Sequence, residues 1–80
     1  MHAGRVSGIG RSRNLAVIGL DDGCVVVRSV GGWLPRVGEQ VVGSLRGVGM
    51  IDLQVGGDAI AFVEVLATGL DCVEAARRIA

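Results

Sequence analysis

The chain has 80 residues, and its eight basic and eight acidic side chains give a formal net charge of zero at neutral pH. This length supports one domain. Half of the residues are apolar and the mean hydropathy is +0.55, which excludes a disordered chain. The neutral balance excludes a whole-chain electric field that would attract nucleic acid or acidic lipid.

Two cysteines, Cys24 and Cys72, are too few for a disulfide-dense secreted scaffold, and no Cys/His spacing accompanies them. We therefore expect buried, inert thiols. The first ten residues lack the apolar segment of a signal peptide, and no apolar run approaches the length of about 18 residues that a membrane span needs. These absences predict a cytoplasmic chain with no membrane partner.

Fourteen glycines and one proline separate short runs of β-branched residues, a pattern typical of strands joined by tight turns. The predicted strands, in chain order, are 3–9, 14–20, 24–30, 39–45, 50–55 and 59–66. Between the second and third lies Asp21-Asp22-Gly23, where an Asp-Gly pair supplies the positive φ angles of a tight hairpin. The fold prediction is all-β: a small antiparallel barrel of five or six strands, OB-like or SH3-like, over residues 3–66. Five valines in the β-branched runs are predicted to be buried within it: Val17, Val25, Val27, Val41 and Val63.

The last segment changes to a helical period. Leu70, Val73, Ala76 and Ile79 form a stripe that predicts a helix over 69–80, docked on the barrel. Thr68 is the predicted N-cap, with Asp71 completing a capping box. Residues 1–80 then form a single domain, barrel and helix together.

No motif for catalysis, metal or cofactor binding is present. The lone histidine, His2, has no nucleophile pattern near it, and no serine lies in a G-x-S-x-G elbow. Turn chemistry accounts for the adjacent carboxylates of Asp21 and Asp22. The glycine-rich stretches lack the Gly-Lys-Ser/Thr of a phosphate loop. We therefore expect a chain that is not an enzyme and has no cofactor.

Five segments occur in the order seen in one family of small barrels: Gly4-Arg5-Val6, Arg13 to Ile18, Asp22-Gly23, Val25 to Ser29, and Val37 to Val41. Over about half of its length the chain thus resembles the cold-shock and S1-like branch of the OB-fold. The resemblance implies a barrel that binds single-stranded nucleic acid. Where that family carries base-stacking rings, this chain has Leu15, Val17, Val26 and Arg28, so the stacking energy of about 1–3 kcal/mol per base is absent.

Two functions remain. The first, which we prefer, is a non-catalytic interaction or self-associating module that uses barrel edge strands or the exposed residues Trp33 and Leu34. The second is a weak, largely electrostatic single-stranded nucleic-acid binder. Its candidate contacts are Arg5, Arg11, Arg13 and Arg28. Two roles are open for Trp33: it covers one end of the barrel, or it projects as a contact residue. The choice between the functions depends on whether the arginines share one face.

Overall fold

Six antiparallel strands close into a barrel in the computed structural model, which describes residues 1–80. The strands are β1 His2–Ile9, β2 Leu15–Leu20, β3 Gly23–Ser29, β4 Gln40–Gly43, β5 Gly49–Val55 and β6 Ala59–Leu70; the helix α1 is Cys72–Ile79. Around the barrel the order is β1-β2-β3-β6-β5-β4, and β4 pairs again with β1. The predicted all-β barrel with a short C-terminal helix is confirmed.

The last strand runs further than its apolar pattern predicted. β6 continues to Leu70, which pairs with Cys24 of β3, so the helix begins at Cys72 instead of residue 69. The predicted N-cap Thr68 is wrong because it still lies within the strand. Asp71 caps the helix instead, its Oδ1 accepting a hydrogen bond from the amide of Glu74 at 2.8 Å.

The β2–β3 hairpin is confirmed, but its turn lies one residue earlier than predicted. Leu20 pairs with Gly23, so Asp21 and Asp22 alone form the turn. Gly23 belongs to β3 and has φ +154°. A Cβ there would meet the carbonyl oxygen of Leu70 at 3.0 Å, so close packing against β6 favours glycine at this position.

The barrel interior is filled by alternate residues of the strands. Four of the five valines predicted to be buried within the barrel, Val25, Val27, Val41 and Val63, belong to its core of 12 buried residues. Leu45 also lies within this core, and Trp33 packs against it. The fifth, Val17, is buried too, but on the outer face of β2 beneath α1. Its placement inside the barrel was wrong because it alternates with the inward Ala16 and Ile18.

The helix α1 is docked on the outer face of β2 and β3, as predicted, but through a different stripe. Ala75 and Ile79 are buried against Val17 and Val26, whereas the predicted Val73 is 69% exposed. Ala76, also predicted in the stripe, is exposed as well. The packed face of α1 consists of Ala75 and Ile79, one turn apart, and the predicted stripe member Leu70 belongs to β6 and not to the helix.

The expectation of free thiols is wrong. Cys24 and Cys72 form a disulfide across 48 residues, with their Cα atoms 5.4 Å apart. Cys24 is wholly buried at the start of β3, and Cys72 is the first residue of α1. The bond therefore ties the helix to the barrel wall at the point where the helix begins.

Replacing a core valine by a carboxylate tests the packing of the barrel. We expect Val27→Asp to destabilise the fold by about 3–5 kcal/mol, because the new charge has no partner in the interior. That is a large share of the stability of a small domain. Val37→Asp is the matched control, since Val37 is 65% exposed in the β3–β4 connection. Equal melting temperatures for the two variants would contradict this core.

Candidate interaction surfaces

Two of the predicted arginines meet in one groove at a barrel end. The β1–β2 turn carries Arg11 and Arg13, and the β3–β4 connection brings Leu34 and Pro35 opposite them, around a groove of about 270 Å³. Neither guanidinium forms an ion pair. This end of the molecule thus offers two uncompensated positive charges beside an exposed leucine.

The other two predicted arginines lie elsewhere. Arg5, near the middle of β1, lines a separate groove together with Asp21 and Gln40. Arg28 points outward from β3 and forms an ion pair with Glu64 of β6 at 2.5 Å. The four arginines therefore do not share one face, and the charge of Arg28 is already compensated.

Trp33 and Leu34, predicted together as an interface, have different surroundings. The indole of Trp33 is half-buried against the barrel core, and its Nε1 is buried without a hydrogen-bond acceptor. Leu34 is 68% exposed beside the arginine groove. Of the two interpretations of Trp33, the lid on a barrel end matches this packing, and Leu34 is the more exposed of the two side chains.

A group of exposed apolar side chains, interspersed with polar ones, lies on the outside of β5 and β6. We call it the β5–β6 outer face; its exposed members are Met50, Ile60, Phe62 and Leu66. Phe62 is 56% exposed and lies opposite Asp52, while Met50 lies opposite Glu64. Contiguous exposed apolar side chains on a small domain commonly mark an interaction site.

The aromatic ring at the centre of this face belongs to a residue whose backbone contacts the segment that follows β3. The carbonyl oxygen of Phe62 accepts a hydrogen bond from the amide of Val30 at 3.1 Å. Gly31 approaches so closely that a Cβ there would lie 3.2 Å from the Cβ of Phe62. The position of Phe62 is therefore fixed by the β3–β6 neighbourhood, even though much of its ring is exposed.

Sequence reasoning missed this face, although one signal was present. Residues 59–66 are apolar at every position except Glu64, so both faces of that strand carry apolar side chains. A strand with only one buried face should alternate apolar and polar residues. The excess of apolar residues on the second face was the available sign of this exposed apolar surface.

The adjacent carboxylates of the β2–β3 turn are exposed, and Asp22 has a structural partner. Arg46, in the β4–β5 loop, donates two hydrogen bonds to the Asp22 carboxylate at 2.6 and 2.7 Å. These bonds lower the pKa of Asp22 below its ordinary value and raise that of Arg46. The pair joins two loops at the barrel end opposite the arginine groove.

No group of three or more His, Cys, Asp or Glu side chains is placed to hold a metal ion. The structure contains no helix with the length and apolar character needed to cross a membrane.

Removing Arg46 tests the coupling of these loops. In Arg46→Ala we expect the pKa of Asp22 to rise toward its ordinary value, measured by NMR titration of the carboxyl carbon. Because the folded-state pKa is lowered, the pair stabilises the fold above the ordinary aspartate pKa of about 3.9 and ceases to do so as the pH falls through the folded value. The variant should therefore melt below the wild type at neutral pH and together with it in strong acid.

Arg36→Ala is the matched control, since the Arg36 side chain forms no ion pair. An unchanged Asp22 titration in Arg46→Ala would contradict the coupling.

Comparison with known proteins adds no relative: no family model, no curated protein and no solved structure matches the chain. The resemblance to the cold-shock branch of the OB-fold therefore stays a prediction.

Proposed function

We propose that this chain is a non-catalytic interaction module that associates with a second copy of itself through the β5–β6 outer face. The observation that carries the proposal is the exposure of Met50, Ile60 and Phe62, at 58%, 65% and 56%, on one side of a single hairpin. Exposed apolar side chains contribute free energy when association removes them from water.

Association through edge strands, one form of the sequence prediction, finds less support in the closed barrel than docking on side chains. The pairing of β1 with β4 gives every strand a neighbour on both sides, although β5 pairs with β4 only at Gln54 and Val55. We therefore place the partner on the outer side chains of the barrel. The outer face of β2 and β3 is already occupied by α1, whereas the β5–β6 outer face carries four exposed large apolar side chains.

The charges of this face favour a second copy as the partner. Arg28 lies beside Glu64, and Asp52 lies opposite Phe62, so cationic and anionic groups surround the apolar side chains. In a two-fold arrangement the same patch meets itself, and each contact occurs twice. A two-fold axis near Phe62 would bury the two Phe62 rings together and would bring the Arg28–Glu64 pair of one copy toward Asp52 of the other.

Nucleic-acid binding is the second candidate. The observation in its favour is that Arg11 and Arg13 line one groove and neither forms an ion pair. Its electrostatic basis is small because Arg28 is compensated by Glu64 and Arg5 lies apart. Each neutralised phosphate of a single strand contributes about −0.7 to the slope of log K against log salt, so two arginines support only weak binding.

The cytoplasmic location stays a prediction. The Cys24–Cys72 disulfide weighs against it, because structural disulfides persist mainly in oxidising compartments.

Sedimentation velocity over a concentration series up to about 1 mM tests the self-association, since even a dissociation constant of that size is detected there. Phe62→Ser should weaken the dimer by about tenfold or more, because it removes most of a buried aromatic side chain from the interface. Val37→Ser is the control: Val37 is as exposed as Ile60 but lies outside the face. A wild type that stays monomeric throughout, or a Phe62→Ser variant that dimerises like it, would overturn the proposal.

Fluorescence anisotropy with labelled single-stranded DNA and RNA tests the second candidate. We expect weak binding or none at low salt, with any binding abolished in the Arg11→Ala/Arg13→Ala double variant. Tight, salt-resistant and sequence-selective binding would instead favour the nucleic-acid function and require contacts beyond these two arginines.

A further inference from the structure

The helix α1 is attached to the barrel at both of its ends. Its first residue, Cys72, forms the disulfide with Cys24 of β3. At its last residue, the carbonyl oxygen of Ile79 accepts a long hydrogen bond of 3.4 Å from the amide of Arg11. The same oxygen lies so near Gly10 that a Cβ there would meet it at 2.8 Å. The helix therefore connects the disulfide to the turn that carries Arg11 and Arg13.

Apart from the disulfide, the helix is weakly held. It has eight residues, whereas isolated helices shorter than about 12–15 residues are marginal in water. Only Ala75 and Ile79 are buried, while Val73 is 69% exposed. Glu74 forms exposed ion pairs with Arg77 and Arg78, but both lie within the helix and contribute nothing to its docking.

The core of the barrel is independent of α1. The inner cluster of 12 buried residues contains no residue of the helix. Ala75 and Ile79 belong to a second cluster of five residues on the outer face, with Val17, Cys24 and Val26. Detachment of α1 therefore separates the residues of the second cluster, whereas the inner cluster keeps all 12 of its residues.

We propose that the Cys24–Cys72 disulfide is a thiol-controlled latch, and that its reduction by a dithiol detaches α1 from β2 and β3 while the barrel stays closed. Cys72 is exposed and Cys24 is wholly buried, so an external thiolate reaches the sulfur of Cys72. The sulfur of Cys24 leaves with the bonding pair and takes up a proton. The second thiol of the reductant then closes its own disulfide and releases Cys72 as a thiol, so two electrons and two protons are transferred.

Release of α1 changes two surfaces at once. It uncovers an apolar strip on the outside of the barrel, formed by Leu15, Val17, Val26 and Leu70. It also removes the Ile79 carbonyl from the Arg11 turn, so the arginine groove loses its support from the helix. The latch goes beyond the proposed self-association, which uses the side chains of β5 and β6.

Hydrogen exchange of the full chain, oxidised and then reduced with dithiothreitol, tests the latch. On reduction the amides of α1 and of Arg11 should exchange about tenfold faster or more, while those of Leu53 and Val63 in the inner core keep their protection. Unchanged exchange in α1 would show that its non-covalent contacts suffice and would overturn the latch. Loss of protection in α1 and the inner core together would also overturn it, since the disulfide would then hold the whole fold.

Two controls complete the test. The Cys24→Ala/Cys72→Ala variant should match the reduced wild type without any reductant, and thiol titration of the untreated, denatured wild type should find no free thiol. Two free thiols in that sample would show that the disulfide does not form and would overturn the proposal. Phe62→Ser should keep the full response to reduction, so failure of the dimer and failure of the latch give different results.

Discussion

The pairing of β1 with β4 is the constraint on which the rest of the structure depends. It joins His2 to Gly43 and Gly4 to Val41, and it converts a six-stranded sheet into a closed barrel. A glycine of each paired strand makes room for side chains of the next strand: a Cβ on Gly4 would lie 2.7 Å from Cγ2 of Ile18 in β2, and one on Gly43 would lie 2.9 Å from Cδ1 of Leu53 in β5. Because closure gives every strand a neighbour on both sides, we place the proposed interaction on the outer side chains.

Those outer side chains are apolar in two places, one covered by the helix α1 and the other exposed. On β2 and β3, Val17 and Val26 are covered by α1, and the Cys24–Cys72 disulfide holds the cover in place. On β5 and β6, Met50 and Phe62 have no cover within the chain. Apolar surface is thus removed from water within the chain on one side, and on the other side it is buried only in the dimer that we propose.

Much of the fold was readable from the sequence, because strand alternation and glycine-rich turns are local signals. The predictions that were wrong concern features that depend on tertiary structure. The disulfide could not be read from Cys24 and Cys72, which are 48 residues apart and meet only because the chain turns back at Asp71. The packed face of α1 also depends on where the chain turns back onto the barrel at Asp71. Likewise, local patterns placed the arginines on turns and strands but not the Glu64 carboxylate beside Arg28.

The most direct test of the account is a dilution series of amide NMR spectra on the oxidised wild-type chain. The account predicts concentration-dependent shifts that cluster at Met50, Ile60, Phe62 and Leu66, with the amides of Arg11, Arg13 and Leu34 unchanged. Shifts that cluster around the arginine groove instead, or spectra that do not change with concentration, would contradict the claim that the β5–β6 outer face is the interaction surface.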